Sequence, residues 1–147
     1  MSSDKETILS ALHTALEAIS GVKLVKRLEA YSTELDRAPM PAIYYLDSVE
    51  KITRRNSSVA QAVMTLDMQV FIKLTPAGQS SFHATADLMQ TAIINALQAL
   101  VNPETGQVVT LAEIKFEKNF PNDTLGALVI EAMLTYVTPW GDFAGIL

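Results

Sequence analysis

Few residues in this chain have the type and spacing that catalysis or metal binding needs. His83 and Asp87 are four positions apart in a predicted helix, so their side chains would share one face and could hold a metal ion together. A zinc site takes three or four protein ligands, and no third ligand is placed nearby. We therefore interpret the pair as part of a capped, solvated first helical turn and predict no metal site.

The sequence also lacks the patterns that mark a catalytic centre. No serine stands in a G-x-S-x-G turn, no glycine-rich loop follows a predicted strand, and no two carboxylates are paired by their spacing. The absence of cysteine excludes thiol catalysis and thiolate metal sites. The second histidine, His13, sits beside the apolar stripe of a predicted helix, as a residue at the edge of a core would. We predict that the protein is not an enzyme and carries no cofactor.

The remaining candidate for function is a cluster of cations at the tip of a predicted hairpin, where the turn RRNSS separates two β-patterned runs near Asn56. Lys51, Arg54 and Arg55 form this cluster. One interpretation is a solvated hairpin tip whose charges discourage edge-to-edge aggregation. The other is a tip that docks on an acidic partner, because an arginine fork forms charge-assisted hydrogen bonds with a carboxylate.

The last ten residues, TPWGDFAGIL, follow the final predicted strand and hold the only tryptophan. Such a segment either folds back or docks on a neighbour, and both interpretations stay open. The predicted partner interface therefore combines the tip and this segment in Lys51, Arg54, Arg55, Asn56, Ser57, Ser58, Trp140, Asp142 and Phe143. We expect one domain over residues 1–147, with 139–147 as a C-terminal tail.

The longest β pattern, VAQAVMTLDMQVFIKLT at residues 59–75, is the element around which the other elements are arranged. Every even position from Ala62 to Leu74 is apolar, which predicts one strand with a fully apolar face. A strand of about 13 residues would span about 43 Å, whereas five or six residues are typical. We therefore expect this strand to outrun a single core and to project as an arm that grips another subunit.

The other elements follow from periodicity and from turn formers. A capping box at Ser3 and Glu6 begins a helix over about 4–20, which Gly21 ends. We predict a strand over 22–28, an exposed connection over 29–40, a hairpin over 42–75, a helix from 80 or 81 to about 101, and strands over 108–118 and 125–137. This order predicts an α+β fold: an antiparallel or mixed sheet of four to five strands, two helices on one face, and a long protruding hairpin.

The composition of the chain limits the kinds of partner that it can bind. The chain has 11 basic and 16 acidic residues and a formal net charge of −5, which argues against tight binding to duplex DNA. The N-terminal MSSDKETI is acidic where a signal peptide is basic and then apolar, and no apolar run approaches the roughly 18 residues of a membrane span. We expect a protein that is made and kept in the cytosol and has no membrane partner.

Four stretches, in their order along the chain, suggest a family. They are MPAIYYL at 40–46, TLDMQVFIKLT at 65–75, DLMQTAIINAL at 87–97 and LVIEAMLTYV at 128–137. In element order and length, residues 6–138 resemble the tail terminator proteins of long-tailed bacteriophages, the group of the minor tail protein U. The resemblance implies a hexameric ring in the virion, at the head-proximal end of the tail tube. Such a ring binds the tube protein, stops its polymerisation, presents a surface to the head connector and lets DNA pass without specific binding.

Two alternatives remain. A neck or head-completion protein would share the fold and the ring but face the portal. A cytosolic ligand-binding α+β module would instead show one closed apolar pocket with a few polar groups. A ring protein is expected to have an acidic or neutral lumen and an interface made by the long hairpin.

Overall fold

The computed structural model describes residues 4–28, 40–74, 79–122 and 124–139, and the statements below concern those residues. Their elements, in chain order, are α1 Asp4–Glu17, β1 Leu24–Arg27, β2 Ala42–Arg54, β3 Val59–Lys73, α2 Gln79–Gln98, β4 Thr110–Asn122 and β5 Leu125–Pro139. The predicted elements are all present, and their ends differ by a few residues. Ser3, most of the predicted connection over 29–40 and the tail over 140–147 lie outside the described residues.

The strands form one sheet in the order β1-β2-β3-β5-β4. β1 is parallel to β2, and every other neighbouring pair is antiparallel. The prediction of an α+β fold with a mixed sheet is therefore confirmed, with five strands. The parallel pair exists because β1 reaches β2 through a long connection, whereas β2 and β3 join through a short turn.

Both helices pack on one side of the sheet, which we call the helix face. The even-numbered side chains of β3 and β5 point to this face, since side chains alternate along a strand. They form the main core together with apolar residues from both helices, among them Leu12 and Leu16 of α1 and Phe82, Ile93 and Leu97 of α2. The apolar alternation of β3 thus identified the main core correctly.

The odd-numbered side chains of β3 and β5 lie on the opposite side, which we call the open face. A second, smaller cluster covers this face near the β1 end of the sheet. Its buried members are Ala42, Tyr44, Phe71, Leu125 and Ala127. Phe71 is the one odd-numbered residue of β3 that is buried, which explains why an apolar side chain interrupts the polar positions of the strand there.

The expectation that the long strand projects as an arm is not confirmed. β3 is the central strand, paired with β5 without interruption from Val59 to Lys73 and with β2 along most of its length. Its apolar positions are buried within the chain almost to the turn, including Ala60 and Ala62. The strand is as long as predicted, but it does not outrun the core, because β5 is as long as β3 and the 20-residue α2 alone extends about 30 Å. Within the hairpin of β2 and β3, residues 51–58 are continuously exposed.

Within the described ranges, neither helix is long and apolar enough to cross a bilayer.

Gly126 in β5 allows a close approach between strand and helix. The ring of Phe82, from the first turn of α2, is fully buried against it. A Cβ atom at position 126 would lie 2.5 Å from two carbon atoms of that ring, closer than real side chains approach. The missing side chain is therefore what lets the start of α2 pack flat on the sheet.

We expect Gly126→Ala to lower the free energy of unfolding by about 1–3 kcal/mol, the usual cost of overpacking a core. Urea denaturation of the purified protein measures this. In a Phe82→Leu background the same change should cost less, because the ring that blocks the methyl group is gone. Equal costs in the two backgrounds would show that the contact with Phe82 is not the cause.

Candidate partner-binding site at the hairpin tip

The hairpin tip spans residues 54–59 and is held by one asparagine side chain. Oδ1 of Asn56 accepts hydrogen bonds from the backbone N–H of Ser58 and of Val59, both at 2.9 Å, and from the Ser58 hydroxyl at 3.0 Å. Such bonds from an asparagine to the backbone that follows it are typical of turns. The backbone N–H of Arg55 also donates to the carbonyl of Val59 at 2.9 Å. The tip is thus an ordered turn, and its backbone fixes the positions of the Cα atoms from which the tip side chains extend.

Both arginines of the tip have partners within the chain. Nε of Arg54 donates to the backbone carbonyl of Asn56 at 3.0 Å, and Nη2 of Arg55 donates to Oε1 of Gln61. Neither arginine therefore needs a second molecule to be ordered. The guanidinium groups are oriented by their own hairpin and remain exposed, so each keeps further N–H donors for a partner.

The tip concentrates positive charge on an acidic chain. Lys51, Arg54 and Arg55 are exposed, and residues 51–58 contain no acid, although the whole chain has a net charge of −5. Their side chains do not all point the same way, because Lys51 pairs with Val63 on the open face and Arg54 pairs with Ala60 on the helix face. The cations therefore surround the end of the hairpin, and an acidic partner could approach it from either side.

Ala62 and Met64 carry the apolar pattern of β3 close to the tip. Both are fully buried within this chain, as part of the core that α1 and α2 share. The protein's own helices therefore explain the apolar pattern near the tip. The case for the tip as a binding site depends on its exposure and its positive charge.

Trp140, Asp142 and Phe143, the other predicted interface residues, lie outside the described residues. Ser57 and Ser58 are exposed in the turn.

The pair His83 and Asp87 is bridged by a lysine. Nζ of Lys118, in β4, lies 3.1 Å from Nδ1 of His83 and 3.2 Å from Oδ1 of Asp87. A cationic side chain thus occupies the position between the two groups. In the part of the chain that the structure describes, no three histidine, aspartate or glutamate side chains are grouped as metal ligands.

A polar network that the sequence analysis missed anchors β2 to α1. Arg27 of β1 donates from Nη1 to Glu6 at 2.7 Å and from Nη2 to Oδ1 of Asp47 at 2.8 Å. Lys5 lies 3.3 Å from the other oxygen of Asp47 and 3.8 Å from Glu50. We call Lys5, Glu6, Arg27, Asp47 and Glu50 the α1 network.

The α1 network continues into β5 and shifts the pKa values of the side chains that it connects. Glu50 accepts a 2.9 Å hydrogen bond from the hydroxyl of Tyr136. Burial, with the negative charge of Glu50 beside it, raises the pKa of Tyr136. The hydrogen bond with Glu6 raises the pKa of Arg27. Burial alone would raise the pKa of Asp47, but hydrogen bonds from Arg27 and the backbone outweigh it and hold that pKa below its usual value.

A β-bulge explains why this network was missed. Simple alternation places Asp47 and Glu50, three positions apart, on opposite faces of β2. The register shifts between Asp47 and Val49, so Asp47 pairs with Leu66, Glu50 pairs with Met64, and both carboxylates point to the helix face. The network therefore fixes the segment of β2 that leads to the tip.

At the end nearest the hairpin tip, the open face exposes several apolar side chains. Val49 and Val137 are exposed there by 57% and 42%, and Val63 and Met133 are half-buried beside them. The next row is charged: Asp67 stands directly opposite Glu131, an unfavourable like-charge pair, and Glu131 in turn stands opposite Lys115 of β4. Neither acid forms a salt bridge with a described residue.

No family model and no curated protein matches this chain.

We expect Asp47→Asn to lower the free energy of unfolding by about 1–3 kcal/mol at pH 7, because charged hydrogen bonds from Arg27 are lost. The pKa of Asp47 is depressed in the folded state, so its contribution is present above its unfolded pKa of about 3.9 and is lost as the pH falls through the folded value. The difference between wild type and variant should therefore shrink in acid. Urea denaturation at pH 7 and pH 3 measures both values.

The matched control is Glu117→Gln, which removes an exposed acid from β4. It should change the stability at pH 7 by no more than about 0.5 kcal/mol. A stability gap between wild type and Asp47→Asn that is as large at pH 3 as at pH 7 would contradict the assignment of the loss to the charge of Asp47.

Proposed function

We propose that this protein is a bacteriophage tail terminator, a virion subunit that forms a hexameric ring at the head-proximal end of the tail tube. The observation that carries the proposal is the exposed cationic tip, built by Asn56 and anchored through β2 by the α1 network. The resemblance adds support, since its four stretches fall mainly on β2, β3, α2 and β5 in the expected order. The ring ends tube polymerisation and offers the surface on which the head connector docks.

The charges of the chain suit contacts between copies. The tip is positive, whereas the open face carries Asp67 and Glu131 without a salt bridge to a described residue. Contacts between two different patches are head-to-tail contacts, which close into a ring when the rotation between subunits allows it. Opposite charges on the two patches favour the correct pairing over others. We propose that Arg54 or Arg55 of one copy faces acids of the next copy or of the tube.

The first prediction concerns the tip. We expect Arg54→Glu with Arg55→Glu to leave the fold intact, because exposed changes cost within about 0.5 kcal/mol, while the arginine–carboxylate contacts are replaced by repulsion. The measurement is tail length, by electron microscopy, in the phage or prophage that encodes the chain. Deletion of the gene should give overlong tails without heads, the wild-type gene should restore normal tails, and the double variant should not.

Lys23→Glu with Lys26→Glu is the matched control. It changes the net charge by the same amount at two exposed lysines at the β1 side of the sheet. This control should restore normal tails. If the tip variant restores them equally well, the tip is a solvated turn and is not the partner contact. If deletion of the gene leaves tail length unchanged, the terminator function itself is wrong.

The second prediction concerns DNA. Six acidic copies give the ring a lumen with little phosphate affinity, which lets DNA move through it, because tight binding depends on the release of counterions by lysine and arginine. We expect duplex binding weaker than about 1 μM at physiological salt. Fluorescence anisotropy with a labelled duplex measures it, and tighter binding would contradict a passive lumen.

A further inference from the structure

β4 leaves one edge of the sheet without a partner strand. It is the last strand in the sheet order, and among the described residues it pairs only with β5. The strand at the opposite edge, β1, has only four residues, whereas β4 has 13. Between its two register shifts, the stretch 113–119 of β4 pairs with β5 without interruption. A long and regular edge strand is a template on which a further strand can pair.

The hydrogen-bond ladder shows which backbone groups this edge presents. The N–H of Leu74 donates to the carbonyl of Thr124, the position opposite it just beyond the last β3–β5 pair. In an antiparallel sheet, residues that bond to one neighbouring strand alternate with residues that point to the other. The even-numbered residues of β5 therefore bond to β3, and its odd-numbered residues bond to β4. By the β4–β5 register, the N–H and C=O groups of Ile114, Phe116 and Lys118 point away from β5, to the open edge.

Three exposed side chains of alternating charge lie along the same stretch. They are Glu113, Lys115 and Glu117, all on the open face. None of them forms a salt bridge with a described residue. An edge with charges of one sign repels a copy of itself, whereas alternating signs match those of a copy in the correct register. The row therefore suits a second copy of this same strand.

One antiparallel register satisfies both the backbone and the charges. When Phe116 lies opposite Phe116 of the second copy, Ile114 lies opposite Lys118, so all the edge-facing backbone groups of these residues are paired. Lys115 then lies opposite Glu117 of the second copy, and the two-fold axis repeats this pair. Both pairs are of the non-hydrogen-bonded kind, in which opposing side chains come closer together.

The neighbouring registers are less favourable. A two-fold axis at Lys115 or at Glu117 would place that residue opposite its own copy, which is a like-charge pair. An axis at Ile114 would match Glu113 with Lys115, but Phe116 would then have to pair with the second copy at the β-bulge after Leu111. The register centred on Phe116 is therefore the favoured one.

The surface of α2 is consistent with a neighbour at this edge. α2 packs on the helix face and contacts β4, where Lys118 bridges two of its side chains. Its 20 residues include one acid, Asp87, and no lysine or arginine. Its exposed positions include Ala84, Leu88, Thr91, Asn95 and Gln98. Depletion of charge is typical of surfaces at protein interfaces, and a two-fold pair places α2 and its copy on the same side of the joined sheet.

We propose that two copies of this chain associate through the open edge of β4, antiparallel and with Phe116 on the two-fold axis, so that their sheets form one continuous sheet. The contact is isologous and closes with two copies. It uses no residue of the hairpin tip and does not depend on the proposed ring. Because a single strand edge is a small interface, we expect reversible association with a Kd of about 10–100 μM. Urea denaturation at about 1 μM chain therefore measures the monomer.

Charge reversal tests the proposal. Lys115→Glu and Glu117→Lys each place like charges opposite each other at both ion pairs, so we expect each single variant to raise the Kd at least about tenfold. The two changes in one chain exchange the signs and should restore the association. An equimolar mixture of the two single variants should also associate, because unlike charges then meet across the axis. Sedimentation equilibrium measures the Kd, and circular dichroism checks that each variant is folded.

Lys26→Glu is the matched control, since it makes the same charge change at an exposed lysine of β1. It should leave the Kd close to that of wild type. Wild-type protein that stays monomeric at about 500 μM, well above the expected range, would overturn the proposal. So would single variants that associate as well as wild type, or a double variant whose association is not restored.

Disulfide formation tests the register, because the chain has no cysteine of its own. Glu113 lies opposite Asn119 of the second copy, with about 4.5 Å between Cα atoms, which is within disulfide range. Under mild oxidation, a mixture of Glu113→Cys and Asn119→Cys proteins should form mixed dimers, identified by mass spectrometry, much faster than either protein forms dimers alone. Faster linkage of Lys115→Cys to itself, or no preference for mixed dimers, would overturn the proposed pairing without affecting the test of tail length.

Discussion

The pairing of β3 with β5 is the constraint on which the rest of this structure depends. The two strands run antiparallel without interruption from Val59 opposite Pro139 to Lys73 opposite Leu125. Because both alternate between apolar and more polar residues, a slip of one position would turn the whole apolar set away from the helices. The register therefore fixes which side chains form the core, which side receives α1 and α2, and which side remains open.

Ion pairs, in addition to apolar packing, position the β2 strand of the hairpin. The bulge after Asp47 brings two carboxylates of β2 to the helix face, where Arg27 and Lys5 pair with them. A partly buried carboxylate without such partners would be costly, so the position of α1 and the path of β2 depend on each other. The tip itself adds little to this, since its turn is held by the side chain of Asn56.

Much of the fold could be predicted from the sequence, because period-two and period-3.6 patterns report which faces are buried. The pattern from Ala62 to Leu74 identified the central strand and its core face. Its role as an arm was mispredicted, because a strand's length says nothing about its neighbours, and β5 proved equally long. Asp47 and Glu50 were missed because a bulge breaks the alternation, and the contact of Phe82 with Gly126 depends on three-dimensional proximity that no local pattern reports.

The position of β5 in the chain has a consequence for how the protein folds during synthesis. β2 and β3 are joined by a short turn and pair locally, whereas Val59 and Pro139 are 80 positions apart. Contacts between distant residues form late, because a long loop must close first. Until β5 leaves the ribosome, the nascent chain presents the long apolar strand β3 with one unpaired edge. Such an edge promotes aggregation, so newly made chains would depend on chaperones during this interval more than the finished fold suggests.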